Sequence, residues 1–434
     1  MNYKFLKISL LVILYISLPL TTVLASSQNI TLIYSGNLDG ELEPCGCSEG
    51  GDKGGIKRRV KKVDELRKEQ PDLILFSSGG LLVSEMPQDK LKSQFILSGL
   101  EELNYDAIGV QWQDLAYGLP FLKETFNTFI ASNWENESLQ KSVAVERGKQ
   151  IVEIFNWIDP NSEKSKGMMG DNPVSHDTTD IAQQLKQAKA KKHITILSTT
   201  LPLDSAEKLF PLDNIDILVI EAAYEIINEP IKKGNTLVLQ PGSRGMRLGK
   251  LDLQINEQGN IENYIHKVIA LPVDVGDAPR MEAWYKAYND KVREEYEARV
   301  AARKAMTTGQ SPYAGEKVCE SCHAKEHEKW FESPHAEAFF KLMDVGKSFD
   351  PNCIGCHTVG FEKEGGYLDY MLTKDLANVQ CENCHGAAKA HADSGGAKPV
   401  ANKGWKPEQM CQQCHIQKHS PDFKFDTYWP RIKH

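Results

Sequence analysis

Four Cys-x-x-Cys-His units crowd the stretch from Tyr313 to His434 of this 434-residue chain. They are Cys319, Cys322 and His323; Cys353, Cys356 and His357; Cys381, Cys384 and His385; and Cys411, Cys414 and His415. Together they use every cysteine but Cys45 and Cys47. Two thiols two residues apart reach both vinyl groups of one haem, and the adjacent His then lies under the ring to ligate iron. A single Cys-x-x-Cys fits zinc or a redox disulfide as well. Four of them, each followed by His, predict four covalently attached haem c groups. Periodicity disappears beyond Tyr313, and few stretches there promise a conventional core. Packed porphyrins supply the missing apolar surface, so the tail is not expected to fold without them.

Five further histidines lie in the tail: His327, His335, His391, His419 and His434. A second axial His closes a haem for electron transfer, whereas a missing one leaves iron open to a small ligand. His335, His391, His434 and His419 are the distal candidates. His327, one helical turn after His323, flanks the same haem and does not cross to its other face.

Tyr313-Ala-Gly, Trp330-Phe-Glu-Ser-Pro-His335-Ala, Val379-Gln-Cys-Glu-Asn-Cys-His-Gly386 and Tyr428-Trp-Pro-Arg-Ile-Lys-His434 resemble the tetrahaem cytochrome c family typified by the electron acceptor of hydroxylamine oxidoreductase. The resemblance implies stacked haems, mostly with two axial His, sometimes with one five-coordinate iron. His335 matches the family's Ser-x-His-Ala distal ligand, and His391 and His434 match other ligand positions. His419 either completes a fourth haem or is simply exposed.

Upstream, short β-rich runs alternate with amphipathic segments. Residues 30–34, 73–76, 129–132, 194–198 and 215–220 read as strands. Ile56, Val60, Val63 and Leu66 share one helical face, and 114–126 and 180–190 also read as helices. Residues 248–255 and 261–269 alternate around Glu257-Gln-Gly-Asn260 as a hairpin. This is an α/β pattern. The charged, Ala-rich stretch 280–306 reads as a long solvated helix, broken by Thr307-Thr-Gly-Gln-Ser-Pro312.

Gly54-Gly-Ile-Lys-Arg-Arg59, Asp64-Glu-Leu-Arg67, Tyr117-Gly-Leu-Pro-Phe-Leu122 and Gln240-Pro-Gly-Ser-Arg-Gly245 resemble the 5′-nucleotidase branch of the metallophosphoesterases. That likeness implies two β-sheets sandwiched between helices, with the active site on loops at strand ends. Active members hold two metal ions about 4 Å apart. Here the family's Asp-x-His reads Asn37-Leu38-Asp39, and its Gly-Asp reads Gly79-Gly80. Its Asn-His reads Trp112-Gln113, its later single His falls near Thr199, and its Gly-His-x-His reads Glu221-Ala222-Ala223-Tyr224. Such residues offer too few convergent metal ligands, so no non-haem metal and no catalytic residues are expected. Glu43-Pro-Cys45-Gly-Cys47 occupies the first metal-binding loop as a strained disulfide, a thiolate or redox site, or two free thiols.

Lys4 and Lys7 precede an apolar run, Ile8 to Leu20, and Val23-Leu24-Ala25 suits a signal peptidase. The run is short for a membrane span, so export to the periplasm without a lasting anchor is expected. A net charge of −8 gives no basic field for nucleic acid and suits basic patches on redox partner proteins. The expected architecture is a signal peptide over 1–25, a degenerate metallophosphoesterase-like α/β sandwich over 26–272, a helical linker over 273–312 and a mostly helical or irregular tetrahaem cytochrome domain over 313–434. The leading expectation is electron transfer rather than catalysis. A haem enzyme acting on a small nitrogen compound through one five-coordinate iron is the first alternative, and a redox-linked phosphohydrolase the second.

Overall fold

A computed structural model describes residues 28–45, 52–125, 128–165, 172–220, 229–306, 309–416, 419–420 and 422–434. The signal-peptide stretch, Cys47, the Cys45 side chain and positions 221–224 lie outside the described residues.

In β1 (Gln28–Ser35) Ile30, Leu32 and Tyr34 alternate with Ile33, so the strand feeds two different cores. A short antiparallel ladder, β2 (Pro44–Cys45) with β3 (Lys53–Gly54), leads into α1 (Ile56–Glu69). Then come β4 (Ile74–Ser77), α2 (Asp89–Glu101), β5 (Ala107–Gly109), α3 (Leu119–Lys123) and β6 (Phe129–Ile130). The hairpin of β7 (Ser142–Arg147) and β8 (Gln150–Trp157) opens a second series, followed by α4 (Thr179–Ala190) and β9 (Ile194–Thr199). α5 (Leu203–Leu209), β10 (Ile217–Val219), β11 (Ile231–Lys233) and β12 (Thr236–Leu239) complete it. A long hairpin, β13 (Arg247–Ile255) with β14 (Ile261–Ala270), returns to β1.

One six-stranded sheet has the order β14-β13-β1-β4-β5-β6 and the other β11-β12-β10-β9-β8-β7. Ile30, Leu32, Ile74 and Phe76 of the first meet Ile154, Ile196, Ile217 and Leu237 of the second. Each such side chain contributes about 1.5–3 kcal/mol on full burial. On the outer faces, α1 and α2 cover the first sheet, and α4 and α5 the second. The expected α/β sandwich is therefore present. The expected helix over 114–126 is not continuous. A 3-10 turn at Trp112–Leu115 precedes α3, and Gly118 at φ +82° breaks the two apart. The β7–β8 hairpin escapes the sequence pattern because Glu146, Arg147 and Lys149 interrupt its apolar alternation.

α6 (Glu282–Met306) differs from a solvated linker, because it buries Tyr288, Val292 and Tyr296. Trp284 and Tyr288 pack on Phe95 of α2, while the Tyr296 hydroxyl donates to Leu368 O at 2.8 Å. The tail that follows is a chain of short helices. They are α7 (Glu316–Glu320), α8 (Ala324–Phe331), α9 (Ala338–Asp344), α10 (Pro351–His357), α11 (Tyr370–Thr373), α12 (Cys381–His385), α13 (Lys389–Asp393), α14 (Pro407–Cys411) and α15 (Phe425–Ile432). Part of it does own a side-chain core. Phe339, Phe349, Ile354, Val359 and Tyr367 join the same buried cluster as Ile56 and Leu100. Glycines and short helices scatter these residues along the sequence, which hides their common face. Among the described residues, no helix is long and apolar enough to cross a membrane.

Candidate functional site

The Cys-x-x-Cys-His units sit on single helical turns, where positions i, i+3 and i+4 share a face. α10 carries Cys353, Cys356 and His357, and α12 carries Cys381, Cys384 and His385. The His323 N–H donates to Cys319 O, and the His415 N–H to Cys411 O, both at 2.9 Å. Asp350 caps α10, its Oδ1 accepting from the Asn352 N–H at 3.0 Å, and Pro351 fits the first helical position. The buried Glu382 carboxylate accepts from the N–H groups of Gly315 at 2.9 Å and Ala388 at 2.7 Å, tying the start of the tail to the third motif.

Three of the four motif histidines meet ring partners from elsewhere in the tail. Ring centroids of His323 and His391 lie 6.2 Å apart, those of His415 and His335 6.1 Å, and those of His385 and His434 5.8 Å. Two imidazoles ligating one metal from opposite sides, with metal–nitrogen bonds of about 2 Å, set their centroids about 6 Å apart. All three gaps therefore fit an iron. His357 has no such ring partner among the described residues, and His419 belongs to none of the three pairs. His327 points elsewhere, with Nε2 2.5 Å from Glu316 Oε2.

Second-side hydrogen bonds orient several of these rings. The Nδ1–H of His357 donates to Ala338 O at 2.6 Å, that of His391 to Lys398 O at 2.6 Å, and that of His434 to Ile432 O at 3.1 Å. This is the arrangement that fixes a metal-ligating imidazole and leaves Nε2 free. Burial pushes His335, His357, His385 and His415 below the usual imidazole range. They are thus held neutral, the form that binds metal.

The thiols show which motifs adjoin. Cys319 neighbours Cys381, and Cys356 neighbours Cys414. Burial, reinforced by the neighbouring Cys411, pushes the Cys384 thiol up to about 11. The motifs therefore neighbour one another in the order first, third, fourth, second. His335, already paired with His415, also lies near His357.

In the N-terminal unit, the loops expected to carry metals are filled by amides. Asn37 Nδ2 and Gln113 Nε2 both donate to Asp39 Oδ1, at 3.2 and 3.3 Å, and Gln111 Nε2 donates to Asn37 Oδ1 at 3.0 Å. Lys164 Nζ donates to Gln113 Oε1 at 2.8 Å. Trp112 turns into the core and donates its indole N–H to Asp159 O at 2.7 Å. A Cβ on Gly80 would stand 2.6 Å from Asn37 Cγ at a φ of +72°, so a larger side chain there would be strained and would have to displace the Asn37 amide. The residues present do not suit the two-metal chemistry of the resembled fold. Among the described residues, Glu316, Glu320 and His327 of the tail do bring ligand atoms within 4.8 Å of one another. Sequence reasoning overlooked Lys347, Asp350 and Glu382, although Asp-Pro just before Cys353 is a readable helix-start signal.

Comparisons with known proteins find two kinds of likeness. The family described as cytochrome c554 and c-prime matches residues 318–386. Cytochrome c-554 of Nitrosomonas europaea is 31% identical over 160 residues, covering 29% of this chain and 68% of that protein. The 5′-nucleotidase precursor of Thermus thermophilus superposes with a TM-score of 0.53 at 13% identity, covering 81% of this chain and 74% of its own. The sulfate thiohydrolase SoxB of Thermus thermophilus gives 0.52 at 13% identity, with 60% of each chain covered. At such identities the last two show the fold alone, that of the metallophosphoesterases. The tail, in contrast, shares sequence as well as motif with cytochrome c-554, and through it the chain belongs to the cytochrome c554 family.

Proposed function

We propose that this protein is an exported tetrahaem cytochrome whose four motifs hold four haem c groups and pass electrons between redox partner proteins outside the cytoplasm. The observation that carries this reading is the trio of histidine pairs, each spaced to clasp one iron. His323, His357, His385 and His415 ligate iron from the attachment side. His391, His434 and His335 would supply the second imidazole to haems held at the first, third and fourth motifs. Bound haem supplies reversible one-electron exchange at iron, tuned by axial ligand and burial. The chain's own part is to orient the imidazoles, to exclude water and to hold the motifs in a continuous order from first to second. The signal-like stretch at residues 1–25 and the need to attach haem c outside the cytoplasm support export to the periplasm.

A second reading rests on His357, which has no facing imidazole among the described residues. A haem held there by His357 would lack a second imidazole and would be able to take a small ligand such as nitric oxide. The N-terminal unit acts as a docking or regulatory body without phosphoesterase turnover, because Trp112, Gln113 and Gly80 stand where metal ligands would be needed.

The test is haem quantification together with the ferric spectrum of the holoprotein. Four haems per chain, three low-spin and one high-spin and responsive to nitric oxide, is the expected result. Fewer haems would refute the four-haem reading, and a wholly low-spin spectrum would refute the open iron. Nucleotide or phosphodiester hydrolysis would overturn the assignment of the N-terminal unit.

A further inference from the structure

We propose that Lys347 and Glu43 are positioning residues for the iron held by His357, so that the phosphoesterase-like unit forms part of that haem's site. The proposal rests on the reading of His357 as the ligand of an open iron. Among the described residues, α10 is the one motif helix bolted to the N-terminal unit by ionic groups. The hydrogen bonds that hold the other three motifs run within the tail.

Lys347 lies just before α10 and is buried. Its ammonium donates to Glu43 Oε1 at 2.7 Å and to Asn289 Oδ1 of α6 at 2.7 Å, and it stands 3.7 Å from Asp350 Oδ2. The rings of Tyr285 and Tyr288 flank it at 5.2 and 5.4 Å. Burial alone would favour the neutral amine, yet Glu43 and Asp350 hold the ammonium well above its ordinary range. Glu43 also accepts from the Tyr285 hydroxyl. It belongs to the first loop of the N-terminal unit, immediately before β2.

Asp350 is the hinge of the arrangement. One carboxylate oxygen caps α10, and the other faces Lys347. α10 carries both thiols and the imidazole of the second motif, and its buried Ile354 joins the core that α1 and α2 share with α6. A shift of Glu43 is therefore passed through Lys347 and Asp350 to the helix that orients His357. A buried ion pair adds little net stability, but losing one partner leaves an uncompensated charge. That asymmetry favours a geometric role over simple adhesion.

The test uses the full-length holoprotein and its K347M, K347R and E43Q variants. The readouts are nitric oxide titration of the high-spin component and the potential of each haem. K347M and E43Q are expected to weaken nitric oxide binding at the open haem at least five-fold and to shift its potential. The low-spin signals of the other three haems should stay in place. K347R, which keeps the charge, should recover most of the wild-type behaviour. E43Q preserves size and a hydrogen-bond acceptor, so it reports even if K347M fails to fold. If the wild type shows no high-spin component, the reading of His357 falls and the proposal falls with it. If the component is present but K347M and E43Q leave it unmoved, only the positioning role is overturned.

Discussion

The His434 ring faces that of His385 at 5.8 Å, with the two planes inclined by 48°. His434 hangs from the amphipathic helix α15, whose Phe425 and Trp429 stack on one another, and the Lys433 N–H closes that helix on Trp429 O. A ligand at the tip of one short helix is easily removed without disturbing the rest. His434→Ala should open the third-motif iron and raise the number of haems that bind nitric oxide from one per chain to two. Ligand titration followed by absorbance checks this, and an unchanged stoichiometry would remove His434 from the ligand set.

His335 and His419 make a discriminating pair. His335 pairs with the fourth-motif His415 at 6.1 Å, whereas His419 lies just after that motif and joins none of the three ring pairs. His335→Ala should convert one low-spin haem to high-spin. His419→Ala should leave the spin-state balance as in the wild type. Electron paramagnetic resonance of the ferric proteins separates the two outcomes.

Which of these features were visible in the sequence follows from the length scale of each. The cysteine motifs are local, because thioether chemistry fixes their spacing, and they were readable outright. Ligand pairing is non-local. Nothing along the chain says that His335 belongs with His415 rather than with His357, and only the fold supplies that. The sandwich was legible where strands alternate cleanly, as in β1 and β9. It was lost where charged residues interrupt an edge hairpin, as in β7 and β8. The embedding of α6 was missed because its buried tyrosines are spaced by charged residues that read as a solvated face. The Glu43–Lys347 contact joins two loops about 300 residues apart, beyond any sequence pattern.

Restoring a metal site in the N-terminal unit should fail for steric reasons. Gly79 and Gly80 have φ of +88° and +72°, and added Cβ atoms would meet Gly109 O at 2.3 Å and Asn37 Cγ at 2.6 Å. Gly80→Ala should cost about 1–3 kcal/mol through backbone strain, before any clash is relieved. Gly80→Asp should cost more and confer no divalent-metal binding. Denaturant unfolding and calorimetry in the presence of manganese would test both points.

Asp114 is fully buried beside those glycines and accepts from the backbone N–H groups of Leu81 at 2.6 Å, Gly80 at 2.8 Å, Gln111 at 2.9 Å and Leu82 at 3.2 Å. Orphaning a buried N–H costs about 1–3 kcal/mol. Asp114→Ala should therefore lose about 3 kcal/mol or more. Its haem spectrum should stay normal, because the loss falls on the sandwich rather than on the tail. A spectrum disturbed in proportion to the stability loss would show the two units to be more tightly coupled than this.

Tyr285 gives the contact between the units a pH signature. Burial, helped by the Glu43 carboxylate, pushes its phenol up to about 12, against about 10 for an unperturbed tyrosine. A folded-state value raised above the unfolded one means that the native protein holds the proton longer. The resulting stabilisation is complete below the unfolded value and is lost as pH rises from there through the folded value. Between pH 10 and 12 the wild type should therefore lose stability more steeply than Tyr285→Phe, which has no proton to release at that position. Below pH 9 the two curves should run parallel, offset by the lost hydrogen bond to Glu43. Thermal melts across this range measure the difference, and equal slopes above pH 10 would show that the Tyr285 phenol titrates freely.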